Sequence, residues 1–98
     1  AELMIYEAMG LTPLGEGARA IEEGWTEKGG KLPINPSGGL KAKGHPIGAT
    51  GVSMHVLAAR QLTGTAGGIQ VKDATLAGVF NMGGAAVANY ASVLERLR

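Results

Sequence analysis

Cysteine is absent from the 98 residues, which excludes disulfides, thiolate-bound metal and a cysteine nucleophile within them and leaves the redox compartment open. Aromatic residues number four, and 9 Lys and Arg against 8 Asp and Glu leave a net charge of +1 with no basic stripe. Base stacking and phosphate tracking both lack material, so no nucleic-acid partner is expected. Uninterrupted apolar length is missing too. The most apolar stretch, Leu76 to Leu94, is broken by Asn81, Gly83, Gly84, Asn89 and Ser92, and reads as two buried strands joined by a turn rather than a membrane span. No charged start followed by an apolar run and a small-residue cleavage site is present, so no signal peptide is read and the cytoplasm, or an organelle matrix, is the default location.

Glycine, at 17 residues, is abundant, and 45% of the chain is hydrophobic. That composition suits one small globular unit whose glycines raise the entropy lost on ordering, so independent stability is not expected. A helix from Ala1 to Met9, with Leu3, Met4, Ile5 and Ala8 as apolar positions and Gly10 as its cap, begins without an N-cap residue. The expectation is an incomplete piece of a longer polypeptide. Glu16 to Gly24 reads as a short helix with Ala18, Ala20 and Ile21 inward, Gly29-Gly30 as a turn, Lys31 to Asn35 as extended, and the stretch on to Gly48 as a long ordered loop.

From Ala49 to Leu62 the apolar residues Val52, Val56, Ala59 and Leu62 recur at helical spacing, with Gly64 past the end, which predicts a helix packed on a sheet. Thr63 to Asp73 connects it to strands at Ala74–Met82 and Ala85–Glu95, turning at Gly83-Gly84. Nearly every strand position from Leu76 to Val93 is apolar, the pattern of a sheet covered on both faces. The fold class is therefore α/β, with helices on a sheet.

His45 is the residue best placed for acid–base chemistry. It sits in Lys43-Gly44-His45-Pro46-Ile47-Gly48-Ala49-Thr50-Gly51, where Pro46 biases it toward extended backbone and Gly44 and Gly48 permit tight turns close to a ligand. Just ahead of a helix N-terminus, a neutral imidazole aimed in this way can accept a proton.

Other patterns have plainer readings. Gly15-Glu16-Gly17-Ala18-Arg19-Ala20 has the letters of a dinucleotide fingerprint but follows a helix and turn rather than a strand. Gly39 and Gly44 have P-loop spacing, yet His45 stands where the lysine belongs. Ser37 lacks the glycine two residues earlier that a nucleophile elbow requires, Asn35 being there, and reads as a turn residue. His45 and His55 have no further ligands at useful spacing, so no metal is expected. His55 taken alone is a hydrogen-bonded packing or surface residue, and Lys41 and Lys43 form a solvated face that could at most meet phosphate. Asn81-Met82-Gly83-Gly84-Ala85 reads first as a hairpin turn; its functional alternative is a set of backbone amides aimed at an oxygen that gains charge in acyl transfer.

Asn35-Pro36-Ser37-Gly38-Gly39, together with Gly44-His45-Pro46-Ile47-Gly48-Ala49-Thr50-Gly51, closely resembles the C-terminal half of the thiolase superfamily. Tyr6-Glu7-Ala8-Met9-Gly10-Leu11 and the closing Asn81-Met82-Gly83-Gly84 resemble the sterol-carrier, or lipid-transfer-protein, type. The resemblance implies residues 1–98 as part of the C-terminal half of a layered α/β fold with helices on a mixed sheet. It implies thiolysis of 3-oxoacyl-CoA or Claisen condensation, with coenzyme A as substrate and no separate cofactor. His45 would be the base, Gly83 an oxyanion-hole amide, and Ser37, Gly38 and Gly39 part of the substrate-binding stretch, while the nucleophilic cysteine lies outside this sequence. Ordinary thiolases carry an acid–base cysteine where this chain has Asn81, whose amide cannot relay a proton. Partners implied are acyl-CoA, the rest of the same subunit and further copies in a homo-oligomer; the isolated residues are expected to be inactive. A thiolase-like carbon–carbon lyase on hydroxyacyl-CoA, and a non-catalytic scaffold subunit of a thiolase assembly, remain as alternatives.

Overall fold

The computed structural model describes residues 1–97. Its elements are α1 (Glu2–Ala8), α2 (Arg19–Glu22), α3 (Gly39–Lys43), α4 (Thr50–Thr63), a 3-10 turn at Gly67–Ile69, β1 (Leu76–Gly83) and β2 (Ala88–Glu95). They fall into two compact units, Ala1–Pro36 and a second beginning at Ser37.

In the first unit, α1 ends at Ala8 with Met9 as its C-cap, and Gly10 follows at φ 79°, the left-handed conformation expected of a glycine after a helix. The buried residue of α1 is Tyr6, at 2% exposure, rather than the expected apolar set; Met4 is 72% exposed. The Tyr6 hydroxyl donates to Glu2 one turn earlier, and burial first, then that bond and the charge of Glu2, push its pKa well up. Glu7 accepts from the backbone amides of Gly15 at 2.9 Å and Gly17 at 3.1 Å, so the glycines of the fingerprint-like stretch serve an internal carboxylate. The second helix is shorter than the expected Glu16–Gly24 and buries Ala20, while Ala18 and Ile21 face outward. Residues 31–35 are tied back by Leu32 N–H to the Trp25 carbonyl and Ile34 N–H to that of Thr26.

The second unit opens with an element the glycine-rich reading did not anticipate. Gly38 at φ 86° and Gly44 at φ 87° bracket Leu40-Lys41-Ala42-Lys43, residues of good helix propensity, and the five residues of α3 form one turn between these left-handed ends. Gly48 at φ 85° then redirects the chain into α4, which Gly64 at φ 72° terminates as expected. The buried side of α4 is rotated from the Val52–Val56–Ala59 stripe. Thr50, Ala58 and Leu62 are buried, Gly51 and His55 share that side at spacings of three and four, and Val52 and Val56 stay exposed.

The two strands pair antiparallel, with Leu76 opposite Glu95 and Gly83 opposite Ala88, so the expected mixed sheet is here an antiparallel hairpin. Its turn is Gly84–Val87 rather than the expected Gly83-Gly84: Gly83 still belongs to the ladder, and β2 begins at Ala88, three residues later than expected. Gly84, Ala85 and Ala86 all take positive φ, and Asn89 Nδ2 donates to the Ala86 carbonyl at 2.9 Å across the loop. Helix α4 packs on the face that carries Val79, Asn81 and Ser92. Leu76, Phe80, Met82 and Val93 alternate onto the other face and are exposed, so the described residues do not cover the sheet on both sides.

Candidate active site

An open cleft of about 520 Å³ forms where the His45 loop, the first turns of α4 and β1 meet. The loop contributes His45, Ile47 and Gly48; the helix contributes Thr50, Gly51, Val52 and His55; the strand contributes Asn81. Asn81 thus stands 36 positions from His45 in the sequence and beside the same cavity in the fold.

The orientation of His45 follows from proton accounting. Thr50, 5% exposed, holds its hydroxyl 3.1 Å from the Pro46 carbonyl and 2.7 Å from His45 Nδ1. A carbonyl can only accept, so in their hydrogen bond the hydroxyl donates to Pro46. A hydroxyl that donates there accepts from His45, the arrangement in which the ring proton sits on Nδ1. His45 Nε2 has no partner among the described residues, and in that tautomer its lone pair is available as a base. Pro46 and Thr50 act together here, since their backbone bond at 3.1 Å from Thr50 N–H also fixes the turn that enters the helix.

Gly51 has a steric role. An added Cβ would stand 2.8 Å from Asn81 Nδ2, so a side chain at this position would displace the Asn81 amide. His55 Nδ1 lies 2.7 Å from the Gly51 carbonyl oxygen, and its Nε2 lies 3.0 Å from Ser92 Oγ on β2. Below the cleft Lys43 Nζ donates to Ser53 Oγ at 3.1 Å, and Ser53 donates to the Thr50 carbonyl at 2.8 Å, so Lys43 is tied to the first turn of α4.

Not every residue singled out in the sequence reaches this cavity. His45 and Asn81 line it, whereas Gly83 and the Ser37-Gly38-Gly39 stretch do not. Gly83 closes the β ladder opposite Ala88, on the same face as Asn81. Ser37 accepts from the Gly39 amide at 3.4 Å at the start of α3. His55, read from the sequence as a packing or surface residue, is hydrogen-bonded through both ring nitrogens. The sequence assigns no role to Ser92 and none of their own to Thr50 and Gly51, although the spacing of four between Gly51 and His55 signals one helix face. Among the described residues no helix is long and apolar enough to cross a membrane.

Comparison with known proteins places the chain in a family. A family model described as thiolase C-terminal domain-like matches residues 1–96. The chain is 46% identical over 82 residues to an acetyl-CoA acetyltransferase of Methanothermobacter thermautotrophicus, an alignment covering 84% of this chain and 21% of that protein. It is 51% identical over 82 residues to human sterol carrier protein 2, covering 84% and 15%. The benzoylsuccinyl-CoA thiolase subunit BbsB of Thauera aromatica is 40% identical over 72 residues, covering 74% and 19%. The chain spans about a fifth or less of the length of these curated relatives.

Proposed function

The chain belongs to the thiolase family, and from that premise we propose that it is part of an acyltransferase acting on acyl-CoA thioesters, with His45 as the base. The observation that carries the proposal is the Thr50 hydroxyl, which commits His45 Nδ1 and leaves Nε2 bare beside the cleft. In thiolysis a cysteine outside these residues gives its thiol proton to His45 Nε2 as its sulfur bonds to the 3-oxo carbon. The bond between that carbon and C2 then breaks, and its electron pair takes up a proton as acetyl-CoA leaves. Coenzyme A attacks the resulting acyl-enzyme, and its thiol proton passes to a base while the cysteine departs as thiolate.

Imidazolium formed at Nε2 can also hydrogen-bond the oxygen that gains charge, and the Gly83 amide is proposed as a second donor to such an oxygen. Asn81 can orient a carbonyl or a water but cannot supply the C2 proton, so another group of the complete enzyme does so. Coenzyme A enters as substrate, with no separate cofactor, and the remainder of the subunit completes the site.

The test is an assay of the full-length protein with 3-oxoacyl-CoA and coenzyme A. Release of acetyl-CoA that depends on coenzyme A is the expected result. Cleavage of a hydroxyacyl-CoA without coenzyme A would replace this reading with a lyase, and binding without turnover would replace it with a scaffold subunit.

A further inference from the structure

One hydrogen bond, from His55, and one close approach, from Asn81, meet at Gly51, and a second bond of His55 reaches β2. The Gly51 carbonyl only accepts, so at 2.7 Å His55 Nδ1 carries the proton. In a neutral ring Nε2 must then accept, and the Ser92 hydroxyl at 3.0 Å is its donor. His55 therefore ties the first turn of α4 to β2 in one tautomer, across 37 positions of sequence. Ser92 pairs with Val79, and Asn81 is the next β1 residue on that face, with its amide over Gly51. Thr50, which holds His45, is the residue before Gly51.

The geometry points to His55 as a positioning residue: through Ser92 it sets the hairpin against the first turn of α4, and thereby sets Asn81 relative to His45. Its neighbours on the same side of the helix, Ala58 and Leu62, fill volume with hydrocarbon, whereas a histidine there costs desolvation unless both nitrogens are partnered. Both are partnered. With neither nitrogen free, His55 acts on the cleft through His45 and Asn81 rather than on a substrate. In its kinetic consequence the inference rests on the acyl-transfer reading; in its structural consequence it does not.

Ser92→Ala, His55→Phe and the double variant of the full-length protein test it. Each single change is expected to lower kcat roughly tenfold, as a small misplacement of reacting groups does, with KM held within about twofold. The double variant should be no worse than either single one, because all three remove one linkage. The imidazole nitrogen resonances of His45 should move in both single variants. A packing role would lower the melting temperature while leaving kcat and the His45 resonances unchanged, and that result, or additive losses in kcat, would overturn the proposal. If the full-length protein turns over no acyl-CoA, the acyl-transfer reading fails separately. The His45 resonances still decide: movement in both variants supports the linkage, and fixed positions refute it.

Discussion

His45→Ala in the full-length protein is expected to lower acyl-CoA turnover by about 10²-fold or more, the loss typical of removing a positioned general base. The size of the effect follows from how little else in the cleft can take a proton. Asn81 has an amide, the Thr50 hydroxyl donates to Pro46, and both nitrogens of His55 are engaged. Substrate affinity should change far less than turnover, because a base acts as the thiol proton leaves and contributes little to holding coenzyme A. Added imidazole should restore part of the rate to the alanine variant, since truncation at Cβ opens space in an already open cleft. Steady-state kinetics measure both quantities. Turnover within a few-fold of the parent enzyme would remove His45 from the mechanism.

The second large effect concerns folding. Produced alone, the 98 residues are expected to show no sharp cooperative unfolding transition and to bind hydrophobic dyes. The buried apolar residues among those described are Tyr6, Ala20, Ala58, Leu62 and Val79, two of them alanines. Ordering the backbone costs about 1–2 kcal/mol per residue, and burial returns about 25 cal/mol per Å² of apolar surface, so so small a core falls well short. The outer face of the hairpin adds exposed Leu76, Phe80, Met82 and Val93, and α4 adds Val52 and Val56. These residues gain stability only when further polypeptide covers them. Calorimetry of the isolated chain, with sedimentation to establish its size, decides the matter. A monomer with a single sharp transition would contradict the account.

Backbone punctuation was the most legible feature of the sequence. Gly10, Gly48 and Gly64 adopt the left-handed conformations expected at helix ends and turns, and the spacing before Gly64 located α4 to within a residue or two. Which side of α4 turns inward was not legible. Val52 and Val56 make the stronger apolar stripe, but the described sheet lies against the side bearing Gly51, His55 and Ala58. Hydrophobicity marks residues that need cover without saying which polypeptide provides it. α3 was missed because Gly38 and Gly39 read as loop, although the four residues after them are adequate for a single helical turn.

The site divides the same way. His45 was visible because glycine and proline constrain its backbone locally, and Asn81 was reached only through a family resemblance. The hydrogen bond from Ser92 to His55 spans 37 positions, and no local pattern announces it. The hairpin turn is longer than the expected Gly83-Gly84, running from Gly84 to Val87, because Gly83 pairs with Ala88 and only that pairing shows where the ladder closes.

The central claim is the protonation pattern of one ring: Nδ1–H held by Thr50, Nε2 bare beside the cleft. Nitrogen NMR of the full-length protein carrying labelled histidine, at a pH where the ring is neutral, measures it directly. His45 is expected as the Nδ1–H tautomer, with that preference lost in Thr50→Val. A His45 signal protonated at Nε2, unchanged by Thr50→Val, would contradict the account.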